Sequence, residues 1–177
     1  MKATGVVRRI DELGRIVIPK EIRRTLKIKE GTPLEIYSGD NGELLLKKYS
    51  PVVELGNLAK DVADSIGKTF EQNVIVTNME RVVAYSGTGK DDYIAKNIDS
   101  HIEKLINARK SQIVLMSEEN TMLLNSNPNI KSFVISPILA SGDVYGSIII
   151  FSEKNNFGEC EKKIASSFAD YLSKQIE

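Results

Sequence analysis

The chain has no tryptophan, one cysteine and one histidine, and its formal net charge is zero. Each scarcity excludes something. With Cys160 alone, no intrachain disulfide can close and no multi-cysteine metal centre can form, so a reducing, cytoplasmic setting is expected. The apolar neighbours of Cys160 suggest a core thiol rather than a reactive one. One imidazole without a nucleophile context builds no catalytic triad, and His101 is expected on a polar helix face beside Ile102. No apolar run approaches the roughly 18 residues that a membrane helix needs. Arg8 and Arg9 interrupt the opening MKATGVVRRI where a signal peptide needs an apolar core. A soluble protein without membrane partners is expected.

Two features that superficially suggest chemistry also fail. Ser86-Gly87-Thr88-Gly89-Lys90 evokes a phosphate loop, but G-x-x-x-x-G-K-[ST] would need glycine where Ala84 stands and Ser or Thr where Asp91 stands. A tight turn is expected there instead. Glu118, Glu119 and the other acids show no pairing that marks general acid–base work. The expectation is no enzyme, no metal and no cofactor.

What the chain does have is asymmetry. Residues 1–50 carry eleven Lys and Arg against seven Asp and Glu, a net of +4, which leaves thirteen against seventeen, or −4, for the remainder. Opposite bias in two halves points to a nucleic-acid-binding half. The basic residues crowd into KATGVVRRIDELGRIVIPKEIRRTL, residues 2–26. Arginine dominates there, and arginine forms bidentate pairs with phosphate and with guanine O6/N7 that lysine cannot form.

Gly5–Ile10 and Arg15–Ile18 read as short strands around the Asp11-Glu12-Leu13-Gly14 corner. If all four corner residues form the loop, Ile10 faces Arg15, and Arg8 and Arg15 project from one side. A one-residue slip would separate them. Pro19 suits the first turn of a helix running to about Lys27. Pro33–Tyr37 and Glu43–Lys47 are then expected to form a hairpin across Ser38-Gly39-Asp40-Asn41-Gly42. So small a unit buries too little surface to stand securely alone, and with no disulfide or metal available, dimerisation is the remaining remedy.

A short linker is expected at 51–55, after which the pattern changes. A helix is expected from Val53 to Phe70, with Leu55, Leu58, Val62, Ile66 and Phe70 in a stripe. Strands are expected at 73–77, 82–85, 112–116, 121–124, 132–139 and 144–151, with a helix at 91–107. A last helix, Phe157 to about Gln175, would place Cys160, Ile164, Phe168, Tyr171 and Leu172 on one side. Helices on one face of an antiparallel sheet make residues 56–177 an α+β module.

The run TGVVRRIDELGRIVIPKEIRRTLKI, followed by LEIY and LLLKKY, resembles the DNA-binding half of the SpoVT/AbrB family of bacterial transition-state regulators. The resemblance covers residues 1–50. It implies a swapped-hairpin β-barrel in which two chains interleave, so the whole chain is expected to be α+β, an AbrB-like barrel followed by a second α+β domain. It also implies DNA contacts at Arg8, Arg15, Arg23 and Arg24, with Arg9, where family members often carry lysine, on phosphate. Residues 56–177 resemble a GAF domain, a signal-binding module. They lack the Asn-Lys-x-Asp motif of the cyclic-nucleotide type, and Cys160 sits on a terminal helix rather than in a bilin pocket.

Together these readings lead us to expect a homo-oligomeric, double-stranded-DNA-binding transcription regulator of sporulation type, an activator, a repressor or both. It would be a dimer through the N-terminal half and a tetramer through the C-terminal helices. A small ligand of unknown identity in the GAF-like domain is expected to bias the spacing of the barrels. Two rivals come from other classes. The same barrel serves antitoxins, but these wrap a toxin with a disordered tail. Some GAF-fold proteins reduce methionine sulfoxide, but that chemistry needs a set of cysteines.

Overall fold

The computed structural model describes residues 5–87, 93–116 and 130–176. The expected strand at 121–124, the acids Glu118 and Glu119, and most of the 86–90 run lie outside these residues. The chain divides into two compact units between Tyr49 and Ser50.

In the first unit, Asp11–Gly14 make a turn, α1 spans Lys20–Thr25, and β1 (Leu34–Ser38) pairs antiparallel with β2 (Leu44–Lys48). The hairpin closes in its Ser38–Gly42 loop, where Gly42 alone takes positive φ. Ser38 faces Leu44, the Gly39 N–H donates to Glu43 C=O at 2.8 Å, and Gly42 takes φ +73°. Helix α1 is shorter than the sequence suggests because it ends in a Schellman arrangement. Lys27 adopts a left-handed φ of +52°, its N–H donates to Arg24 C=O, and Ile28 N–H donates to Arg23 C=O at 2.7 Å. Residues 5–10 and 15–18, expected as strands, form no ladder within one chain.

The second unit is a five-stranded antiparallel sheet, β3 (Asn73–Asn78), β4 (Val82–Ser86), β5 (Gln112–Leu115), β6 (Ser132–Ala140) and β7 (Asp143–Ser152), in the order β4-β3-β7-β6-β5. Its central hairpin turns on two residues, Ser141 at φ +47° and Gly142 at +85°, with Ala140 facing Asp143. Positive φ at both central positions gives the turn whose twist matches the strands it joins. Helices α2 (Pro51–Glu54), α3 (Gly56–Phe70), α4 (Ser100–Asn107) and α5 (Glu159–Ile176) complete the unit. Residues 51–55, expected as a linker, therefore contain helix α2, and Val52 joins the core of this unit.

The sheet is covered on both faces, not on one. Val74, Val76, Val134, Ile148 and Ile150 pack with α3 and α5, whose small residues Ala59, Ala63, Ala165 and Ala169 permit close approach. Their neighbours Ile75, Phe133, Ile135, Ile149 and Phe151 face the other way, onto Ile102 and Ile106 of α4 and the stacked pair Tyr85–Tyr93. Since side chains alternate along a strand, runs such as Ile148-Ile149-Ile150-Phe151 supply apolar surface to both layers.

The helix expected over 91–107 is present as α4 from Ser100 to Asn107, while tertiary pairing holds residues 93–99 out of it. Ala95 takes φ +65°, Arg81 bridges Asn97, and Val82 exchanges backbone hydrogen bonds with Lys96 and Ala95. Asp99 then caps α4, its carboxylate accepting from the His101 N–H at 2.6 Å. His101 itself is half-buried, and its Nε2 is buried, contrary to the surface position expected. Cys160 is exposed rather than a core residue. It lies in the first turn of α5, before the alanines that meet the sheet.

Candidate nucleic-acid interface

Arg8, Arg9, Arg15, Arg23 and Arg24 all lie in the first unit and all are exposed. They sit on three pieces of backbone. Arg8 and Arg9 lie on the segment entering the turn, Arg15 at the turn's exit, and Arg23 and Arg24 on the last turn of α1. The Schellman bonds land on the carbonyls of Arg23 and Arg24, so the residues that end the helix also fix the backbone carrying those two side chains.

The turn is built around one carboxylate. Asp11 Oδ1 accepts the backbone N–H groups of Leu13 at 3.0 Å and Arg15 at 2.8 Å, while Oδ2 accepts Arg15 Nε at 2.8 Å. Gly14 takes φ +74°, and its N–H donates to Asp11 C=O at 3.0 Å. The backbone N–H of Arg15, then its guanidinium, hold the Asp11 carboxyl below its ordinary pKa, with Leu13 adding to the effect.

The Asp11 N–H donates to Arg15 C=O at 3.0 Å, so the closing pair is Asp11–Arg15 and the loop has three residues. The four-residue loop expected from the sequence is corrected by one position, because Asp11 captures the Arg15 N–H with its side chain. Sequence reasoning read Asp11 only as part of a corner. The signal for more was an Asp three residues before a Gly, the pattern of a side-chain-closed turn.

The first unit is also incomplete. None of residues 5–49 is buried, and Val7, Leu13, Val17, Ile36 and Leu44 are each between 66% and 85% exposed. On β1 and β2, the alternate positions Leu34, Ile36, Leu44 and Leu46 share one apolar face.

A hollow of about 90 Å³ lies where Ile66 and Phe70 of α3 meet Ile150 of β7 and Cys160 and Ile164 of α5. Small-molecule sites occupy about 300–1,000 Å³, so this hollow holds no metabolite of ordinary size. Among the described residues, no group of His, Cys, Asp and Glu is placed to hold a metal ion, and no helix is long and apolar enough to cross a membrane.

Residues 54–177 match the family described as stage V sporulation protein T C-terminal, transcription factor. Residues 7–53 match the family of the bacterial antitoxin MazE, described as antidote-toxin recognition. Stage V sporulation protein T of Bacillus subtilis is 42% identical over 177 residues, covering all of this chain and 99% of that protein. Transition state regulatory protein AbrB of the same organism is 61% identical over 105 residues, or 59% of this chain and 97% of AbrB. The GAF domain of the nutrient sensor CodY from Clostridium difficile superposes with a TM-score of 0.55 at 17% identity, over 67% of this chain and 83% of that one, which shows the fold of the second unit. With a full-length relative at this identity and the C-terminal family spanning most of the chain, the protein belongs to the stage V sporulation protein T family of transcription regulators.

Proposed function

We propose that the chain binds double-stranded DNA as a homo-oligomer, with Arg8, Arg9, Arg15, Arg23 and Arg24 as the contacts. One observation carries the reading. The unit that bears five exposed arginines buries none of its described residues, so its apolar faces await another chain. Two copies interleaved as a swapped-hairpin barrel would close that core and duplicate the arginines about a two-fold axis. Phosphate contacts would give affinity without sequence information, and arginine–guanine pairs about 1–3 kcal/mol of discrimination each. With so few base readers, DNA shape and deformability would supply the remaining selectivity.

The second unit would act as a sensor and tetramer-forming module in the cytoplasm, without catalysis and without a resident cofactor. On the α4 side of the sheet, His101 Nε2 and Gln112 Nε2 are buried without a hydrogen-bond partner among the described residues, which favours that layer for a small polar ligand. A ligand there would regulate DNA binding by biasing the geometry of the two barrels.

Arg23→Ala should abolish a gel shift on genomic operator fragments while the oligomer mass in solution stays the same. Full retained affinity would sink the assignment. The match of residues 7–53 to an antitoxin family favours a second reading, an antitoxin. A folded sheet domain where an antitoxin carries a toxin-wrapping tail weighs against it, and a pull-down that recovered a stoichiometric toxin would reverse that judgement.

A further inference from the structure

The Asp11–Arg15 ion pair is open to solvent, with 43% of the Asp11 side chain and 71% of the Arg15 side chain exposed. So exposed a pair contributes little to stability. Its geometry is nevertheless tightly specified. Asp11 Oδ1 is fixed by two backbone N–H groups of the turn, and the carboxylate cannot swing away without opening that turn. The other oxygen takes Arg15 Nε at 2.8 Å. A guanidinium carries five donors in a rigid plane, so occupying Nε leaves the two terminal nitrogens as an outward fork.

We propose that Asp11 is a positioning residue for base reading. It grips Arg15 by Nε and presents the Nη1/Nη2 fork to the O6/N7 edge of a guanine. The inference rests on the proposed function, since it assumes that Arg15 meets DNA.

Two physical arguments favour a base edge over a phosphate. A long flexible side chain must be ordered before it can discriminate, and here the ordering is done in advance by the turn. A carboxylate beside the guanidinium also repels phosphate oxygens, while the neutral edge of guanine is a good partner for a charge-compensated donor fork. Among the described residues, Arg15 is the one member of the five arginines in an ion pair. The other four are suited to phosphate.

The test uses the full-length protein and two duplexes of equal length and composition: one selected by the wild type from a randomised pool, the other shuffled. Asparagine at position 11 keeps an oxygen for the Leu13 and Arg15 N–H groups but offers an amide NH₂ to Nε. Asp11→Asn should cut the ratio of selected to shuffled affinity by about tenfold, near one guanine contact, while shuffled binding holds or tightens as a negative charge is lost. In an Arg15→Lys background, which lacks Nε and the fork, Asp11→Asn should leave the ratio unchanged.

An unchanged ratio for Asp11→Asn, in a protein whose Arg15→Ala variant does lose the selected duplex, overturns the proposal and spares the DNA-contact reading. A parallel fall on both duplexes with a lowered melting temperature also overturns it, because Asp11 would then be only a turn residue. If Arg15→Ala itself leaves both affinities intact, the contact reading fails and the positioning role falls with it.

Discussion

The two units of this chain hold themselves together by different means. Every buried apolar residue among those described lies in the second unit, from Pro51 to Leu172. There the sheet is apolar on both faces and helices seal each one, so the usual driving force, removal of apolar surface from water, operates within a single chain. The first unit has comparable apolar residues but leaves them in the open, and its order is local: a carboxylate-closed turn, a six-residue helix with a Schellman end, and a two-stranded hairpin. A hairpin by itself is at best marginally stable in water. The lesson is that composition alone does not make a core. Residues 5–49 have the ingredients of one without the layers within a single chain.

The largest expected effect breaks this contrast directly. Ile36 is 66% exposed in the single chain, where a substitution would ordinarily change stability by no more than about 0.5 kcal/mol. If a second copy covers it, Ile36→Asp buries a charge in an assembled core and should abolish folding of the first unit and all DNA binding. Circular dichroism and a gel shift on the same sample would check this, and a neutral outcome would mean that the first unit works as one chain. In the second unit Ile148 is fully buried between β7 and the α3–α5 layer, so Ile148→Ala should cost about 2–5 kcal/mol. That loss, read from urea unfolding, should fall on the transition of the second unit, while melting of the first unit should instead rise with protein concentration.

A somewhat smaller effect probes how tightly the second unit is packed. A Cβ built on Gly146 would lie 1.9 Å from Thr77 C=O on the paired strand, so the backbones of β3 and β7 must move apart for any side chain. Gly146→Ala should destabilise by about 1–3 kcal/mol, the usual cost of overpacking. No glycine of the first unit faces comparable crowding: Gly5, Gly14 and Gly31 have open space around the missing Cβ, and what fixes them is positive φ alone.

How much of this was legible in the sequence follows the same division. The strands of the second unit announce themselves through β-branched runs, and Ser141-Gly142 marks their central turn. That both sheet faces are covered could have been read from Ile148–Phe151, where apolar residues do not alternate with polar ones. Other features were not legible, because partners distant in sequence decide them. Ile94 and Ile98 continue the helical spacing of Ile102 and Ile106, yet residues 93–95 form a turn, and backbone bonds with Val82 and Glu80, together with the Arg81–Asn97 bridge, hold residues 95–98 against the sheet edge. In the first unit the five arginines were singled out by composition and resemblance. The role of the Asp11 side chain was not, since a loop register shifts by one residue on the strength of a single hydrogen bond.

That bond has its own titration. A carboxyl held below its ordinary pKa by the folded turn stabilises the turn at pH above the unfolded aspartate value, and the contribution disappears as pH falls through the lowered folded value. The Asp11 carboxyl carbon should therefore titrate by NMR below the ordinary range. Arg15→Ala should raise its midpoint, leaving the backbone N–H bonds from Leu13 and residue 15 to hold the remainder of the shift. A midpoint unmoved by Arg15→Ala would show that the guanidinium is not paired in solution.

The smallest expected effect tests whether the second unit is as self-sufficient as it looks. Cys160 is exposed at the start of α5, beside the hollow formed with Phe70 and Ile164. Cys160→Ser should shift stability by no more than about 0.5 kcal/mol, as for other surface positions. The native thiol should react with a disulfide reagent at the rate of an unfolded control. Slow labelling at high protein concentration, recovering on dilution, would mean that a further copy covers the first turn of α5. Phe70 and Tyr171, 43% and 45% exposed on helices that already flank the sheet, would be the apolar residues available to the same contact. The contrast would then narrow to one of degree: the first unit needs a partner to have a core at all, and the second needs one only to finish its surface.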